Sequence, residues 1–482
     1  MPEKTLPQDL SVALAGDLDA AMAAHLIRED REEDLLFALW TPSEGSSRLT
    51  ALVQTPLFPR EGERQRHGNA SFNPEYFERV ASEAVAEGCG IAFLHSHPGP
   101  GWQGMSPDDI RAELRMAGAA LALTDLPLLG MTVGSDGAWS ARMWEHTGRK
   151  EYERRWCRSV RVSGELLRVS FADHLVRPPR WREEFRRTVT VWGEEAHATL
   201  ARLRVGIVGL GSVGSIVAEA LARMGIERFV LIDFDEVQRH NLDRLLGATR
   251  RDLGRLKVDV AARQIRRAAT AARVSVRRVA AAVTEEEGYR TALDCDVIFS
   301  CVDRPWPRQV LNHVAYAHLI PVIDGGIQVR FRRGRFTGAD WQVQTVGPGR
   351  TCLECLGAYN RGDAATEREG KLDDPSYLAG LPADHRFKRN ENVFPFSANL
   401  ASLEVLHLVA LATGTRGIEA GVQRFRTMPG VLDRVDVPSC SPECDTASLV
   451  AQGDRHFALY GHDHSAAEAR SRQGAAAPPT VG

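Results

Sequence analysis

Apolar and polar residues follow two rhythms along this chain. Over residues 1–148, four apolar runs have strand length: 34–40 (DLLFALW), 49–55 (LTALVQT), 90–97 (GIAFLHSH) and 127–135 (PLLGMTVGS). Residues 77–86 and 107–123 space their apolar side chains as a helix does, so a mixed α/β domain is expected there. Residues 149–183, with KEYERRWCRSVRV and the breaker run VRPPRWR, read as a basic, irregular connector. From 184 to 445 the pattern becomes apolar strand, alanine-rich helix, apolar strand. That βαβ order predicts a doubly wound, mainly parallel sheet with helices on both faces. Residues 362–393 are polar and breaker-rich and are expected to form a mobile loop over a site. Residues 446–482, ending GAAAPPTVG, are expected to be disordered. The chain has no internal repeat.

Composition adds limits. At 482 residues the chain has room for two or three domains, and 43% hydrophobic with 26% charged residues describes a globular protein. The net charge of −3 gives no overall pull toward nucleic acid or anionic membrane. No apolar run reads as long enough to cross a bilayer. The start MPEKTLPQDL lacks the basic and apolar regions of a signal peptide, so a cytoplasmic location is expected. The eight cysteines then read as metal ligands or thiols rather than disulfides.

The sharpest local signal begins at Arg204. Gly209, Gly211 and Gly214 form G-x-G-x-x-G between an apolar strand and a helix, which brings backbone amides and a helix N-terminus to a phosphate. Alone, that pattern equally fits an NAD-binding oxidoreductase. The continuation shifts the balance. Asp233 ends the second strand, where an acid can bond a ribose hydroxyl, and Asp235, Asn241, Arg244 and Lys257 follow. Asn241 and Arg244, three apart, can face one way, and with Lys257 they place a neutral donor and two cations around a triphosphate. A hydride-transfer enzyme has no use for so many phosphate-directed groups.

These residues resemble the adenylating domain of the ThiF, MoeB and ubiquitin-activating enzyme family, and the likeness extends through Asp303, Arg308 and Asn312. The resemblance implies a Rossmann-like domain that binds ATP and magnesium. In that reading Gly209, Gly211, Gly214, Asp233, Asp235, Asn241 and Arg308 hold the nucleotide. Arg187, Arg244 and Lys257 neutralise its phosphates, and Asp303 holds the magnesium. Arg187, in RTVTVWG, matches a family arginine that often acts across a dimer interface, so a homodimer is implied. Ser212 stands where the family usually has glycine.

A second chemistry lies upstream. His95 and His97, two apart at a strand end, leave the same face, and Ser106-Pro107 reads as the cap and first residue of a helix carrying Asp109 in its first turn. Two imidazoles and a carboxylate suffice for a catalytic zinc, which lowers the pKa of water toward neutrality. This segment resembles the JAMM motif (also MPN or JAB) of zinc metalloproteases that cleave ubiquitin-like tails or isopeptide links. The resemblance implies His95, His97 and Asp109 as ligands, Ser106 as oxyanion stabiliser, and Glu33, with Glu32 as fallback, as general base. Seven residues separate Pro98 from Ser106, one more than eukaryotic members generally have.

Cys352-x-x-Cys355 and Cys440-x-x-x-Cys444 suit a closed, structural zinc site tying the C-terminal region to the body. The family carries a similar site, usually with two residues inside both pairs. No cysteine lies between Cys355 and Cys440, where thioester-forming members keep theirs. His462-x-His464 in the tail is given no role. The expected function is ATP-dependent adenylation of a ubiquitin-like protein ending in a Gly-Gly-type tail, for conjugation, joined to zinc-dependent cleavage of that tail. The competing expectation is activation of a sulfur-carrier protein for thiocarboxylate formation. A non-catalytic scaffold and an oxidoreductase stand outside both.

Overall fold

The computed structural model describes residues 6–67, 69–149, 151–333, 335–382, 392–414, 421–437 and 439–456. The N-terminal part runs β1 (Asp9–Ala15), α1 (Gly16–Leu26), β2 (Leu35–Glu44), β3 (Arg48–Leu57), a small hairpin of β4 (Arg64–His67) and β5 (Asn69–Phe72), and α2 (Pro74–Glu87). It continues with β6 (Gly90–Ser96), α3 (Pro107–Thr124), β7 (Leu129–Val133) and β8 (Trp139–Gly148). Then β9 (Glu151–Trp156), β10 (Ser159–Ser163) and β11 (Leu167–Phe171) complete a nine-stranded mixed sheet, ordered β11-β10-β1-β3-β2-β6-β7-β8-β9. Alternation along β2 sets the layers. Leu35, Phe37 and Leu39 pack with α2 and α3, while Leu36, Ala38 and Trp40 face the core under α1.

Residues 149–183 are therefore not an irregular connector over most of their length. Their arginines masked the strand pattern, because Arg161 of β10 is itself buried, 3.4 Å from Asp296. Charge was mistaken for exposure.

The second part begins with α4 (Arg186–Trp192), α5 (Glu194–Arg202), β12 (Arg204–Val208), α6 (Ser212–Arg223), β13 (Arg228–Ile232), α7 (Lys257–Ala268) and β14 (Ser275–Val279). Next come α8 (Glu286–Ala292), β15 (Val297–Ser300), α9 (Pro305–Ala317), β16 (Val322–Arg332) and β17 (Arg335–Val346). The chain ends in α10 (Arg361–Arg368), α11 (Pro375–Gly380), α12 (Phe394–Thr413), β18 (Val422–Arg426), β19 (Val431–Val435) and α13 (Thr446–Leu449). The sheet order is β14-β13-β12-β15-β16-β17-β18-β19. Pairing is parallel from β14 to β16 and antiparallel from β16 to β19, so a Rossmann-like sheet continues into an antiparallel ledge.

Three expectations change here. Helix α12 is long and apolar enough to cross a membrane by length and composition, which the sequence reading overlooked; it packs on α6, β16 and β17 and buries Glu404 and His407. Residues 362–393 hold α10 and α11, with Asn360 capping α10 through its side chain, rather than a bare loop; residues 383–391 lie outside the described residues. Residues 446–456 are ordered. Thr41 Oγ1 donates to Ala451 O at 2.7 Å, and Asp454 accepts from Glu44 N and Arg290. The remaining tail, with His462 and His464, lies outside the described residues.

The two parts share a buried polar seam. Arg48 meets Asp296 at 2.6 Å, and Arg204 pairs with Asp9. Ser43 and Tyr289 contact the two ring nitrogens of His318, each at 2.8 Å. Burial opposes the Asp296 charge, yet Arg48 and Arg161 outweigh it and hold that carboxyl at about 2. Breaking one partner of such a buried pair strands the other charge; beside these pairs Leu167 and Phe171 pack into the apolar core of the second part, and Ala13 and Leu52 meet Leu319.

Candidate functional site

The carboxyl ends of the parallel strands open into a cavity of about 1190 Å³. Its floor is the turn after β12. Gly209 has φ +88°, and a Cβ there would meet Cys301 O at 2.5 Å; a Cβ on Gly214 would meet Gly209 O at 2.0 Å. Only glycine permits that turn, and Gly211, with open space where its side chain would be, leaves the start of α6 accessible. Asp233 braces the turn by accepting from Leu210 N at 2.5 Å and Asp235 N at 2.7 Å. Burial pushes its carboxyl up to about 6, against the pull of Lys257.

Lys257, the first residue of α7, points at Asp235, 2.7 Å away. Burial works against its charge, but Asp233 and Asp235 outweigh that and raise its pKa. Arg244 lines the same cavity, held by His240 O at 2.5 Å and by Asp243 at 2.9 Å. Asn241 lines it too, although its side chain accepts from Gln238 N and caps its own turn. Asp303, exposed at the end of β15, completes the ring. The glycine loop, two cations and this acid thus converge on one space.

Two residues depart from expectation. Arg308 borders the cavity, but its guanidinium is committed to Ala358 O at 3.0 Å, Gly325 O at 2.8 Å and Asp324 at 3.3 Å, so it anchors the wall rather than offering free donors. Arg187 is exposed on α4 and is not among the residues lining the cavity. The sequence reading missed Glu367, Arg304 and Asp373. Glu367 accepts from Trp306 N at 2.8 Å and burial pushes it up to about 7. The sequence signal was the capping residue Asn360 ahead of the proline-free run RGDAATER, which forms α10 and buries Ala364 and Glu367.

A second cluster lies in the N-terminal sheet. Register explains it: Leu35 of β2 pairs with His95 of β6, so Glu33 falls beside His97. Ser106 caps α3 with a reciprocal box, its Oγ accepting from Asp109 N at 3.1 Å while Asp109 accepts from Ser106 N at 2.7 Å. His95 Nε2 and His97 Nε2 lie 3.2 Å apart, and Asp109 sits 3.5 and 3.4 Å from them. Bonds of about 2.0–2.1 Å to a tetrahedral zinc require ligand atoms about 3.3–3.4 Å apart, so the triangle has the right size. Burial opposes the Asp109 charge, but the two histidines outweigh it and hold that carboxyl low. Glu33 Oε1 lies 3.9 Å from His97 Nε2, and burial raises its pKa, as suits a base. Ser106 is tied up in capping through its Oγ.

The ligand atoms of Cys352, Cys355, Cys440 and Cys444 all lie within 4.8 Å of one another. Cys352 Sγ and Cys444 Sγ are 3.6 Å apart, close to the spacing of about 3.8 Å that zinc–sulfur bonds of about 2.3 Å impose. Cys352 N donates to Cys440 Sγ at 3.2 Å, as amides do around thiolates. The set fits a closed four-sulfur site.

Residues 185–446 match the ThiF family, while the nine-stranded sheet and its His–His–Asp triangle lie outside that match. Among curated proteins, the tRNA threonylcarbamoyladenosine dehydratase of Escherichia coli K12 is 33% identical over 147 residues, covering 30% of this chain and 54% of that protein. The SAMP-activating enzyme E1 of Haloferax volcanii is 31% identical over 164 residues (34% and 57%). The molybdopterin-synthase adenylyltransferase of E. coli K12 is 30% identical over 164 residues (34% and 61%). The chain thus spans about half the length of the curated relatives it matches. Among solved structures, E. coli MccB has a TM-score of 0.43 at 18% identity, covering 58% of this chain and 75% of that one. The family match spans more than half of the 482 residues, and the chain belongs to the ThiF family.

Proposed function

We propose that this chain adenylates the C-terminal carboxylate of a small ubiquitin-like protein with a Gly-Gly-type tail and, at its second centre, cuts a bond at that same tail. The observation that carries the first half is the single cavity shared by the glycine loop, Arg244, Lys257 and Asp303. A carboxylate is already a nucleophile, so the chain needs only to position it and to balance charge. Its oxygen attacks the α-phosphorus of ATP, the bond to the β-phosphate oxygen breaks, and pyrophosphate leaves. Lys257 and Arg244 neutralise the leaving phosphates, the amides at Gly209–Gly214 cradle them, and Asp303 would hold a magnesium ion, which would supply charge screening there. Arg187 joins this set if a partner subunit supplies it, which makes the homodimer part of the proposal.

The second half rests on the triangle of His95, His97 and Asp109 with Glu33 beside it. These three would hold zinc, which supplies Lewis acidity toward water and toward a carbonyl. Glu33 takes the proton from water, and Ser106 fixes Asp109 by capping α3. The four-cysteine set would hold a structural zinc ion. The N-terminal peptidase fold and the cytoplasmic setting belong to the same proposal.

One observation favours transfer to sulfur or to an external thiol as the fate of the adenylate. Cys301, the thiol on the cavity wall, lies 3.6 Å from Glu404, and burial and that acid drive its pKa far above the ordinary value. A poor thiolate makes a poor thioester former. Incubating the chain with ATP and each Gly-Gly-ended small protein encoded beside it, then weighing the products, tests the whole reading. AMP addition and lost tail residues are expected; unchanged masses with every candidate refute it.

A further inference from the structure

The antiparallel ledge β16–β19 carries a segregated charge. Trp341 stacks on Phe425 and Phe396, so over residues 339–343 the odd-numbered side chains of β17 face α12 while Asp340 and Gln342 face outward. That outer face bears Gln328, Asp340, Gln342 and Arg424, all of which also line the cavity. Further out it bears Arg330 and Arg426, and the hairpin tip adds Arg332, Arg333 and Arg335. Asp340 pairs with Arg330 and Asp433 with Arg426. Arg332, Arg333 and Arg335 are exposed and make no ion pair among the described residues. Cations outnumber acids on this face, although the whole chain is net negative at −3.

We propose that this ledge selects partners whose surface is acidic just upstream of the tail. The inference rests on the adenylation reading and deepens it. Residues 335–342 of β17 span about 23 Å in extended form, so a tail with its carboxylate in the cavity sets the segment some seven residues earlier over the arginine tip. An acidic segment there meets the free guanidinium groups, gaining encounter rate and register. The acids of the cavity mouth are matched by cations there, Arg244, Lys257, Arg304 and Arg424 among them, so the excess positive charge is confined to the tip and matches one local acidic stretch of a peptide.

The test uses the full chain and two fluorescein-labelled peptides of about twelve residues ending in Gly-Gly, extended at about 3.3 Å per residue to reach the tip. One carries three Asp or Glu residues in its first half, the other carries Lys in their place. Anisotropy titrations should show the acidic peptide binding about tenfold tighter at about 0.05 M salt, with the advantage shrinking at about 0.5 M. The triple variant Arg332→Glu, Arg333→Glu, Arg335→Glu, all outside the cavity and on the surface, should erase that preference while ATP binding stays unchanged. Equal binding of the two peptides, no binding of the acidic one, or a preference that survives the triple variant overturns the proposal. Tighter binding of a single-stranded RNA, lost in the same variant, overturns it in favour of nucleic acid. Loss of ATP–pyrophosphate exchange with every small Gly-Gly-ended protein would instead sink the adenylation reading itself.

Discussion

Lys257 Nζ lies 2.7 Å from Asp235 Oδ2 at the mouth of the glycine loop, a cation held ready by an acid that a phosphate can replace. Because Asp235 is half-exposed, water can take the place of Lys257 beside it at small cost in folding energy. Lys257→Ala is expected to lower ATP–pyrophosphate exchange by about 10²–10³-fold, the scale for removing one preorganised charge. Its melting temperature should move by no more than about 3 °C. A rate measurement beside a thermal melt checks both.

The seam lies between the two centres. His95 and Glu33 sit at the end of β2–β6 remote from Ser43, about 27 Å along β2, while Asp303 lies beyond the opposite end of β15 from Asp296. One tail cannot occupy both at once. Asp303→Ala should abolish pyrophosphate exchange and spare tail cleavage, and His97→Ala should do the reverse. An equimolar mixture of the two variants should then trim and adenylate a precursor as fast as an equal concentration of active sites in the unaltered chain, followed by mass spectrometry. A clear advantage for the unaltered chain would mean direct transfer between the centres.

Zinc at the four-cysteine set should hold the domains together. Cys444 leads straight into Asp445, which pairs with Arg361, and then into the segment whose Ala451 and Asp454 grip β2. Cys440→Ser should lower bound zinc from two ions to one per chain, as measured by atomic emission. It should also lower the melting temperature by about 10 °C or more, since a structural zinc ion contributes several kcal/mol. Limited proteolysis should open the link after Phe171.

Glu367 makes stability depend on pH in the direction opposite to a paired carboxylate. Burial raises its folded pKa to about 7 from an ordinary 4.5. Both folded and unfolded chains hold the proton at pH 4; as pH rises toward 7 the unfolded chain releases it first, so stability falls, and above 7 the loss is constant. Glu367→Gln keeps the acceptor for Trp306 N. It should stabilise the protein by about 1–3 kcal/mol at pH 8 and by nothing at pH 4, in melts across that range.

Legibility followed the scale of the interaction. The βαβ core was plain because β12 (RVGIV) and β13 (RFVLI) carry no polar side chain after their first residue, and the glycine turn was plain because no other residue survives a Cβ so close to backbone. The spacing of His95, His97, Ser106 and Asp109 carried the triangle, since a capping box fixes Asp109 relative to Ser106 by local hydrogen bonds alone. β10 was illegible. Arg161 makes it look like surface, and only partners far along the chain, the Asp296 carboxylate and the carbonyls of Leu319, Cys295 and His318, explain its burial. The ordered segment at 446–456 was lost for the same reason, because its polar residues find partners at Thr41, Glu44 and Arg290.

The sequence by itself determined which residues could do chemistry: short-range rules of sterics, capping and ligand spacing act within a dozen residues and need no fold. Tertiary structure decided who stands beside whom. It spent Arg308 on carbonyls, left Arg187 outside the cavity, set Glu33 against His97 through strand register, and joined two domains through buried ion pairs. Each of those outcomes depends on a partner far along the chain, and pairing at that range is selected by packing, which no local pattern encodes.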